Sequence, residues 1–222
     1  MSKIKFKAHV YSSYCVHDIK LRIKVSIGST IIINWGDGNV VTHPFQYEDE
    51  MVFEYRFFPN LKRKHFHSIC DVEISGNCPN CHIIGFSIKS ADIDVFDFDV
   101  SACPELEDLD FYKCESINLD LSRNTALKKL DCSYNYLKRL DLSHNTALKE
   151  LICCGCGLQH LSLANNFELE YLNCEYNGME KIFIYYAPQL CKAEFEEGNN
   201  IDDETRSRIQ QILEENNIWS RQ

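Results

Sequence analysis

Two cysteines and a histidine form the best candidate for a metal site in this chain, in the segment Cys78-Pro-Asn-Cys81-His82. Zinc binds four thiolate or imidazole ligands, and a Cys-x-x-Cys segment commonly supplies two of them. A second set, His65, His67 and Cys70, lies one predicted strand away, but its spacing is irregular. A disulfide across this segment and two unpaired thiols are the alternatives. No bound metal is therefore predicted, and Cys78, Cys81 and His82 remain an alternative zinc or redox site.

A second group of thiols occurs in the segment Cys153-Cys154-Gly155-Cys156. Successive residues of a strand point to opposite faces, so Cys153 is predicted to point inward and Cys154 outward, where it would be open to oxidation. A cysteine nucleophile needs a histidine beside it. His144 and His160 are predicted to lie in other segments, away from this strand, and we expect no such pair.

Carboxylates are the remaining candidates for chemistry, and two close carboxylates, such as Asp110 with Asp131, are expected on the concave face of the repeats. Paired carboxylates are what a glycosidase requires, but no pattern in the sequence builds a cleft around them. The chain also lacks a glycine-rich phosphate loop, a Gly-x-Ser-x-Gly elbow and a His-Glu-x-x-His motif. We expect no enzymatic activity and no cofactor.

The elements that position these residues follow from a repeat of 21 residues. One column of the repeat consists of Leu106, Leu127, Leu148, Leu169 and Leu190, and a second of Leu109, Leu130, Leu151, Leu172 and Ala193. A third column holds Phe111, Cys132, Cys153, Cys174 and Phe195. A constant period of this length predicts a solenoid, whose turns bury their apolar residues by stacking on one another. The three equivalent cysteines are predicted to form a reduced, inward-facing column, because cysteine behaves there as a small apolar residue.

The repeat unit Leu127-Lys-Lys-Leu-Asp-Cys-Ser-Tyr-Asn-Tyr-Leu-Lys-Arg-Leu-Asp-Leu-Ser-His-Asn-Thr-Ala resembles a leucine-rich repeat. It is similar to repeats of bacterial surface proteins, including the internalin-like type with a cysteine ladder. The resemblance implies a strand in each Leu-x-x-Leu-x-Leu/Cys segment and an asparagine side chain that bonds the backbone of neighbouring turns. Departures from the pattern are Cys114 and Cys156 in place of asparagine, Ser116 in a leucine column, and Pro188 in the last turn.

The first 77 residues have another pattern, with short alternating runs rich in valine, isoleucine and aromatic residues. Such runs, separated by turn residues, predict an antiparallel β-sandwich. The segment Thr30-Ile-Ile-Ile-Asn-Trp-Gly-Asp-Gly-Asn39 and the later strands Val52–Tyr55 and Cys70–Gly76 resemble a PKD-type immunoglobulin-like domain. A PKD-like module ahead of such repeats also resembles proteins of Bacteroidetes. Asp37 is predicted to serve the turn and not as a catalytic acid.

The predicted fold is therefore an antiparallel Ig/PKD-like β-sandwich followed by a short leucine-rich-repeat solenoid and a C-terminal capping helix. The predicted boundaries are residues 1–77 for the sandwich, 78–84 for a linker, 85–198 for the repeats and 199–222 for the helix. A degenerate first turn is expected to cap one end. The helix is predicted over Asp202–Asn217, with an N-cap at its start, Ile209, Ile212 and Leu213 on its apolar face, and Trp219 close to the last turn.

Composition limits the partners. The net charge of −10 argues against nucleic acid and anionic membranes, which require a basic surface. No apolar run is long enough to cross a bilayer, and Met1–Lys7 lacks the apolar region of a secretory signal. The compartment is left open, although the resemblance implies a cell-surface or secreted protein if a leader is removed.

Tyrosines among acidic residues are predicted on the concave face of the repeats, a composition that suits recognition of another protein. The predicted function is noncatalytic binding of a protein partner through that face. A cell-surface glycan-binding or adhesion protein is the alternative, because tyrosine rings also stack on sugars, and an ordinary solvated face is a further one. The candidate binding residues are Asp110, Tyr112, Asp131, Tyr134, Ile152, Tyr171, Asn173, Tyr176 and Glu194.

Overall fold

A computed structural model describes residues 1–10, 17–26, 30–45, 49–57, 68–77, 81–90, 94–115 and 118–219. The described chain is mostly β, with one helix at its C-terminal end. The N-terminal strands are β1 (Lys3–Val10), β2 (His17–Val25), β3 (Thr30–Asn34), β4 (Val40–Pro44), β5 (Asp49–Phe57), β6 (Ser68–Gly76), β7 (Ile83–Ser90) and β8 (Asp94–Asp99). The later elements are β9 (Asp108–Asp110), β10 (Lys129–Asp131), β11 (Glu150–Ile152), β12 (His160–Ser162), β13 (Tyr171–Asn173), β14 (Lys181–Phe183), β15 (Lys192–Glu194) and α1 (Asp203–Trp219).

The N-terminal strands form two layers over a shared apolar core. One sheet has the order β4-β3-β6-β1-β8, and the strands β5, β2 and β7 belong to a second sheet. Alternate residues of β1 and β2, among them Ile4, Phe6, Leu21 and Ile23, are buried, as the alternating sequence pattern predicts. Rings from the two layers meet at Trp35 and Tyr55, whose centroids are 4.2 Å apart.

The Trp-Gly-Asp-Gly segment forms the turn between β3 and β4. The Asp37 Oδ1 atom accepts a hydrogen bond from the Asn39 backbone amide at 3.0 Å, so this aspartate has the turn role predicted for it. Gly36 has φ +77°, and a Cβ atom there would lie 2.6 Å from the Asp71 carbonyl oxygen. Only glycine fits this backbone conformation and this close approach.

The repeats form a β-solenoid of about five turns. The strands β9, β10, β11, β13 and β15 are parallel, and each pairs with its neighbour at an offset of one 21-residue repeat. Leu109, Leu130, Leu151 and Leu172 are consequently stacked and buried. The same backbone bond, from residue 128 to 107, from 149 to 128 and from 170 to 149, recurs at 2.8 Å in three successive turns. Each turn therefore hydrogen-bonds to the backbone of the turn before it and buries the apolar surface of that turn.

Buried asparagines bond the backbone between turns. Asn135 is fully buried; its amide donates to the carbonyls of Phe111 and Cys132 at 2.9 and 2.8 Å, and its oxygen accepts from the Cys114 amide at 3.1 Å. On another side of the solenoid, Asn124, Asn145 and Asn166 each donate to two carbonyls of the preceding turn. Backbone groups in these tight turns are out of reach of water, so a side-chain amide has to satisfy them.

The expected boundary between the two halves of the chain differs from the observed one. β7 pairs antiparallel with β2 on one side and parallel with β9 on the other, and β8 pairs with β1. Strands β7 and β8 thus belong to the two N-terminal sheets, although the sequence pattern predicts a degenerate first repeat turn for this part of the chain. The apolar spacing of Phe86 and Ile88 is compatible with either arrangement, which is why the sequence pattern did not separate them. The result is a continuous sheet of order β15-β13-β11-β10-β9-β7-β2-β5.

The C-terminal helix packs on the last turn, as the sequence predicts. Asp202 caps it by accepting the Thr205 amide at 2.7 Å, and Ile209 and Ile212 are buried in the common core. The Asn216 amide group donates to the carbonyls of Ala187 and Leu190, each at 2.8 Å. The side chain of Trp219 lies outside the described ones. The one helix in the described chain is not long and apolar enough to span a membrane.

The asparagine bonds lead to a stability prediction. Asn135→Ala leaves two carbonyls and a buried amide without their partner, and we expect it to lower the free energy of unfolding by about 3 kcal/mol or more. Urea unfolding followed by circular dichroism measures this loss. Asn165→Ala is the matched control, because Asn165 is exposed and donates one bond, to Ser143; a change within about 0.5 kcal/mol is expected there. Equal losses for the two variants would contradict the assigned role of Asn135.

Candidate binding face and pocket

The outward side of the eight-stranded sheet carries two continuous rows of side chains. Strand pairing aligns one residue per strand in each row. The first row is Val52, Arg22, Ser87, Asp110, Asp131, Ile152, Asn173 and Glu194. The second row is Glu50, Lys24, Gly85, Asp108, Lys129, Glu150, Tyr171 and Lys192. We call this surface the strand face; it extends across the N-terminal unit and the solenoid without a break.

All nine predicted binding residues lie on the strand face or at its border, but they form two groups. Tyr171, Asn173 and Glu194 make one group at the C-terminal end, where the Tyr171 hydroxyl and the Asn173 amide both donate to Glu194 Oε2. The other group, near the N-terminal unit, consists of Asp110, Tyr112, Asp131 and Tyr134. Ile152 is half-buried between the groups, and Tyr176 stands at the border.

The exposed tyrosines follow the ends of the strands on unusual backbone. Tyr134 and Tyr176 have φ of 56° and 58°, in the left-handed region, and Lys113 and Gly155 occupy the equivalent positions with φ of 56° and 61°. A bulky residue in this region is uncommon, because its Cβ atom crowds the backbone. The Tyr112 and Tyr134 rings meet edge to face at 5.3 Å. The backbone of the repeat therefore fixes where these rings stand.

Gly155 provides the surface on which the Tyr134 ring rests. A Cβ atom at position 155 would lie 3.0 and 3.1 Å from two carbon atoms of that ring. Gly198 has the same relation to Tyr176, with a Cβ atom 2.7 Å from the ring. Each tyrosine thus lies against a glycine of the next turn, which restricts the ring without burying it.

A pocket of about 380 Å³ opens where the solenoid meets the N-terminal unit, and its walls are Lys89, Asp110, Tyr112, Lys113 and Asp131. Three of these residues were predicted as binding residues. Lys89 is absent from the predicted set, because the sequence pattern places residues 85–90 at the start of the repeats; the outward alternation of Gly85, Ser87 and Lys89 is the signal that identifies it. The Asp110 side chain accepts bonds from the Ser87 hydroxyl and the Tyr112 amide, and Asp131 accepts one from the Ser133 amide.

Burial and the neighbouring charges of the pocket shift the pKa of Asp131. Burial raises the pKa of the Asp131 carboxyl above the ordinary value of 3.8, and the negative charge of Asp110 raises it further. The hydrogen bonds from Ser133 and the positive charge of Lys89 lower it, but by less. A half-buried carboxylate beside a second carboxylate is costly to ionise, and a cation nearby lowers that cost. The pocket therefore combines two carboxylates in adjacent turns with amino groups at its walls.

The cysteine predictions have mixed outcomes. Cys132, Cys153 and Cys174 are fully buried and unbridged in the core, at the inward positions that the repeat predicts. Cys154 was expected to be an exposed, oxidation-prone thiol. It is buried instead, its sulfur lies 2.7 Å from Asn173 Oδ1, and burial raises its pKa to about 11. A thiol that stays protonated is a poor nucleophile.

The alternative metal site falls partly outside the described residues, which exclude Cys78, His65 and His67. Cys81 is buried, with its sulfur packed against Gly76, and the His82 backbone amide donates to the Ser26 hydroxyl at 3.0 Å. Within the described ranges, no three histidine, cysteine, aspartate or glutamate side chains are grouped so as to hold a metal ion.

Comparison with known proteins gives no match: no protein-family model, no curated protein and no solved structure is similar to this chain at a significant level. Function therefore has to be inferred from the site itself.

The contact between Gly155 and Tyr134 can be tested with a pair of glycine substitutions. Gly155→Ala and Gly157→Ala both place a Cβ atom on left-handed backbone, with φ of 61° and 70°, and each should cost about 1 kcal/mol of unfolding free energy. Only position 155 faces a ring, since nothing lies within 4 Å of a Cβ atom at 157. We expect the NMR signals of the Tyr134 ring to shift in Gly155→Ala alone. Similar shifts in both variants would contradict the contact.

The raised pKa of Asp131 has a consequence for stability against pH. An acid with a higher pKa in the folded state is ionised more easily after unfolding, so its contribution to stability falls as the pH rises above 3.8. Asp131→Asn keeps an acceptor for the Ser133 amide, and we expect it to raise the melting temperature at neutral pH. This advantage should disappear below about pH 3, where aspartate is protonated in both states.

Asp141→Asn is the control for this pH experiment. Asp141 also accepts the backbone amide two residues later, that of Ser143 at 2.9 Å, but this bond lowers its pKa. The expected sign is therefore opposite, with a lower melting temperature at neutral pH and no difference in acid. If Asp131→Asn destabilised the protein at neutral pH in the same way, the raised pKa of Asp131 would be wrong.

Proposed function

We propose that this chain is a noncatalytic recognition protein that binds another protein through the strand face. In this proposal the solenoid is a leucine-rich-repeat unit of the bacterial cysteine-ladder type, and the N-terminal layers are a PKD-like immunoglobulin-like module. The in-register 21-residue turns and their asparagine bonds support the first assignment. The Trp-Gly-Asp-Gly turn and the two facing β layers support the second.

The observation that carries the proposal is the exposure of aromatic rings that the backbone holds in place. Tyr112, Tyr134 and Tyr176 remain 42%, 47% and 48% exposed although two of them rest on glycines of the next turn. Restricted rings lose little conformational entropy when a partner covers them, and tyrosine offers apolar area with a polar end. Acidic and basic side chains beside the rings supply the polar rim typical of protein interfaces.

The charges of the strand face contribute to specificity more than to stability. The Lys129–Glu150 pair, at 3.0 Å, is exposed and stabilises the fold by at most about 1 kcal/mol. The alternating signs of the charges give the surface a pattern that a partner has to match, because like charges brought together across an interface are unfavourable.

Glycan binding is the second candidate function, and one contact favours it. The Tyr171 hydroxyl and the Asn173 amide converge on Glu194, while the Lys192 amino group lies 5.1 Å from the centre of the Tyr171 ring. A ring beside fixed acceptors and donors is an arrangement that can stack on a sugar and bond its hydroxyls. Binding to immobilised glycans that Tyr171→Ala abolishes would favour this candidate over protein recognition.

A double substitution tests the proposed function. We expect Tyr134→Ala with Tyr176→Ala to weaken binding of the protein partner at least about 30-fold, the effect of removing an interface hot spot. The partner is first captured with the wild-type chain, and its dissociation constant is then measured for each variant with purified components.

The control is Tyr185→Ala with Tyr186→Ala, because these tyrosines are 66% and 62% exposed and lie away from the strand face. The control variant should bind like the wild type, and both variants should retain the wild-type melting temperature within a few degrees. Equal binding by all three proteins would show that the strand-face tyrosines are not the interface.

A further inference from the structure

The pocket between the two halves of the chain is surrounded by charges that do not pair. Elsewhere on the solenoid opposite charges are in contact, as in Lys128–Glu107 at 2.9 Å and Lys192–Glu194 at 2.5 Å. The side chains of Lys89, Asp110, Lys113 and Asp131 form no salt bridge with any described residue, although they line one space of about 380 Å³. Opposite charges thus stand around a cavity without direct contact, and Lys89 acts on Asp131 only through space.

Hydrogen bonds from neighbouring residues of the protein hold the two carboxylates in position. Asp110 uses one oxygen for the Ser87 hydroxyl at 2.9 Å and the other for the Tyr112 amide at 3.3 Å. Asp131 uses Oδ1 for the Ser133 amide at 3.0 Å. A carboxylate oxygen accepts more than one bond, so both groups keep acceptor capacity for a ligand. Their positions in neighbouring turns, about 5 Å apart, suit one shared cation.

The two lysines reach the pocket from different elements. Lys89 lies near the end of β7, two residues after Ser87, which pairs with Asp110, and it lines the same pocket as Tyr112. Lys113 stands on left-handed backbone, where its amide donates to the Ser133 carbonyl at 2.9 Å. Strand pairing and the turn hold the backbones of both lysines, and both residues line the pocket together with the two carboxylates. The pocket is therefore polarised before any ligand enters.

We propose that this pocket binds a small zwitterion, a molecule whose ammonium and carboxylate groups lie a few ångströms apart, as in an α-amino acid. The ammonium group binds Asp110 and Asp131, the carboxylate group binds Lys89 and Lys113, and the remainder of the ligand packs against Tyr112. A ligand with a single charge is attracted by the two residues of opposite charge and repelled by the two residues of like charge. This site is additional to protein recognition by Tyr134 and Tyr176, and it shares Tyr112 with the recognition surface.

Three ligands that share the phenylalanine side chain and differ in their charged groups test the proposal. L-Phenylalanine is the zwitterion, L-phenylalaninamide keeps only the ammonium group, and N-acetyl-L-phenylalanine keeps only the carboxylate. Each is titrated into the ¹⁵N-labelled 222-residue chain at about pH 6.5, where an α-amino group is protonated, and the amide signals of Tyr112, Lys113 and Ser133 are followed. We expect the zwitterion to bind at least about tenfold more tightly than either derivative, with an affinity that falls as salt is added.

Single-charge variants separate the two halves of the site. Asp131→Asn should remove the preference for phenylalanine over its N-acetyl derivative, and Lys89→Met should remove the preference for phenylalanine over its amide. Lys20→Met is the matched control: Lys20 lies on the same sheet but pairs with Glu54 at 2.6 Å, outside the pocket. This variant should bind all three ligands like the wild type.

The outcomes are distinct. Equal binding of the three ligands, or the tightest binding by a singly charged one, overturns the zwitterion proposal. Shifts of the same amides by methyl β-glucoside, without shifts by phenylalanine, also overturn it and identify a sugar site. No protein partner takes part in the titration, so a negative result does not bear on protein recognition. Loss of partner binding in the Tyr134 and Tyr176 variant likewise does not bear on the zwitterion site.

Discussion

Strand β7 is hydrogen-bonded along both edges, and the rest of the structure depends on this. One edge continues the antiparallel pairing of the N-terminal unit through β2, and the other begins the parallel pairing of the solenoid through β9. The first turn of a solenoid otherwise exposes unpaired backbone groups and apolar surface. Here the N-terminal unit covers that end, while Asp202, Ile209 and the rest of the helix cover the other. The two architectures consequently share one sheet and one apolar core.

Within the solenoid, the tight turns require polar groups in the interior. One column alternates Cys114, Asn135, Cys156 and Asn177, and each cysteine is bonded to the asparagine of the following turn. The amide of Cys114 donates to Asn135, that of Cys156 donates to Asn177, and the Cys156 thiol lies 3.0 Å from the Cys132 carbonyl. A thiol is a weak donor and an asparagine amide a strong one. Cysteine is therefore compatible with alternate turns, because the backbone amide of each cysteine donates to the asparagine side chain of the following turn.

The same stacking gives the strand face its chemistry. A pitch of about 5 Å per turn aligns side chains in rows, so neighbouring repeats place Asp110 beside Asp131 and Tyr134 against Gly155. Left-handed backbone at the strand ends directs the tyrosines to a border where they stay exposed. The surface that results carries restricted rings and alternating charges, the features on which the proposed recognition function rests.

The sequence by itself determined the solenoid, because a leucine column with a constant period can be buried in one way only, by stacking its turns. It also determined the inward cysteine column, the turn role of Asp37, the C-terminal helix with its cap at Asp202, and the side of the strands on which Asp110, Asp131 and Glu194 lie. These features depend on local spacing and on the alternation of a strand.

Tertiary structure alone decided what depends on pairing between distant segments. The assignment of β7 to the N-terminal sheets, the burial of Cys154 against Asn173 and the presence of Lys89 beside Asp131 all arise from contacts across strands. An alternating segment such as Ile83–Ser90 has the same pattern whether it ends one unit or begins another. Only the partner that hydrogen-bonds to each edge distinguishes these cases, and that partner lies far away in the sequence.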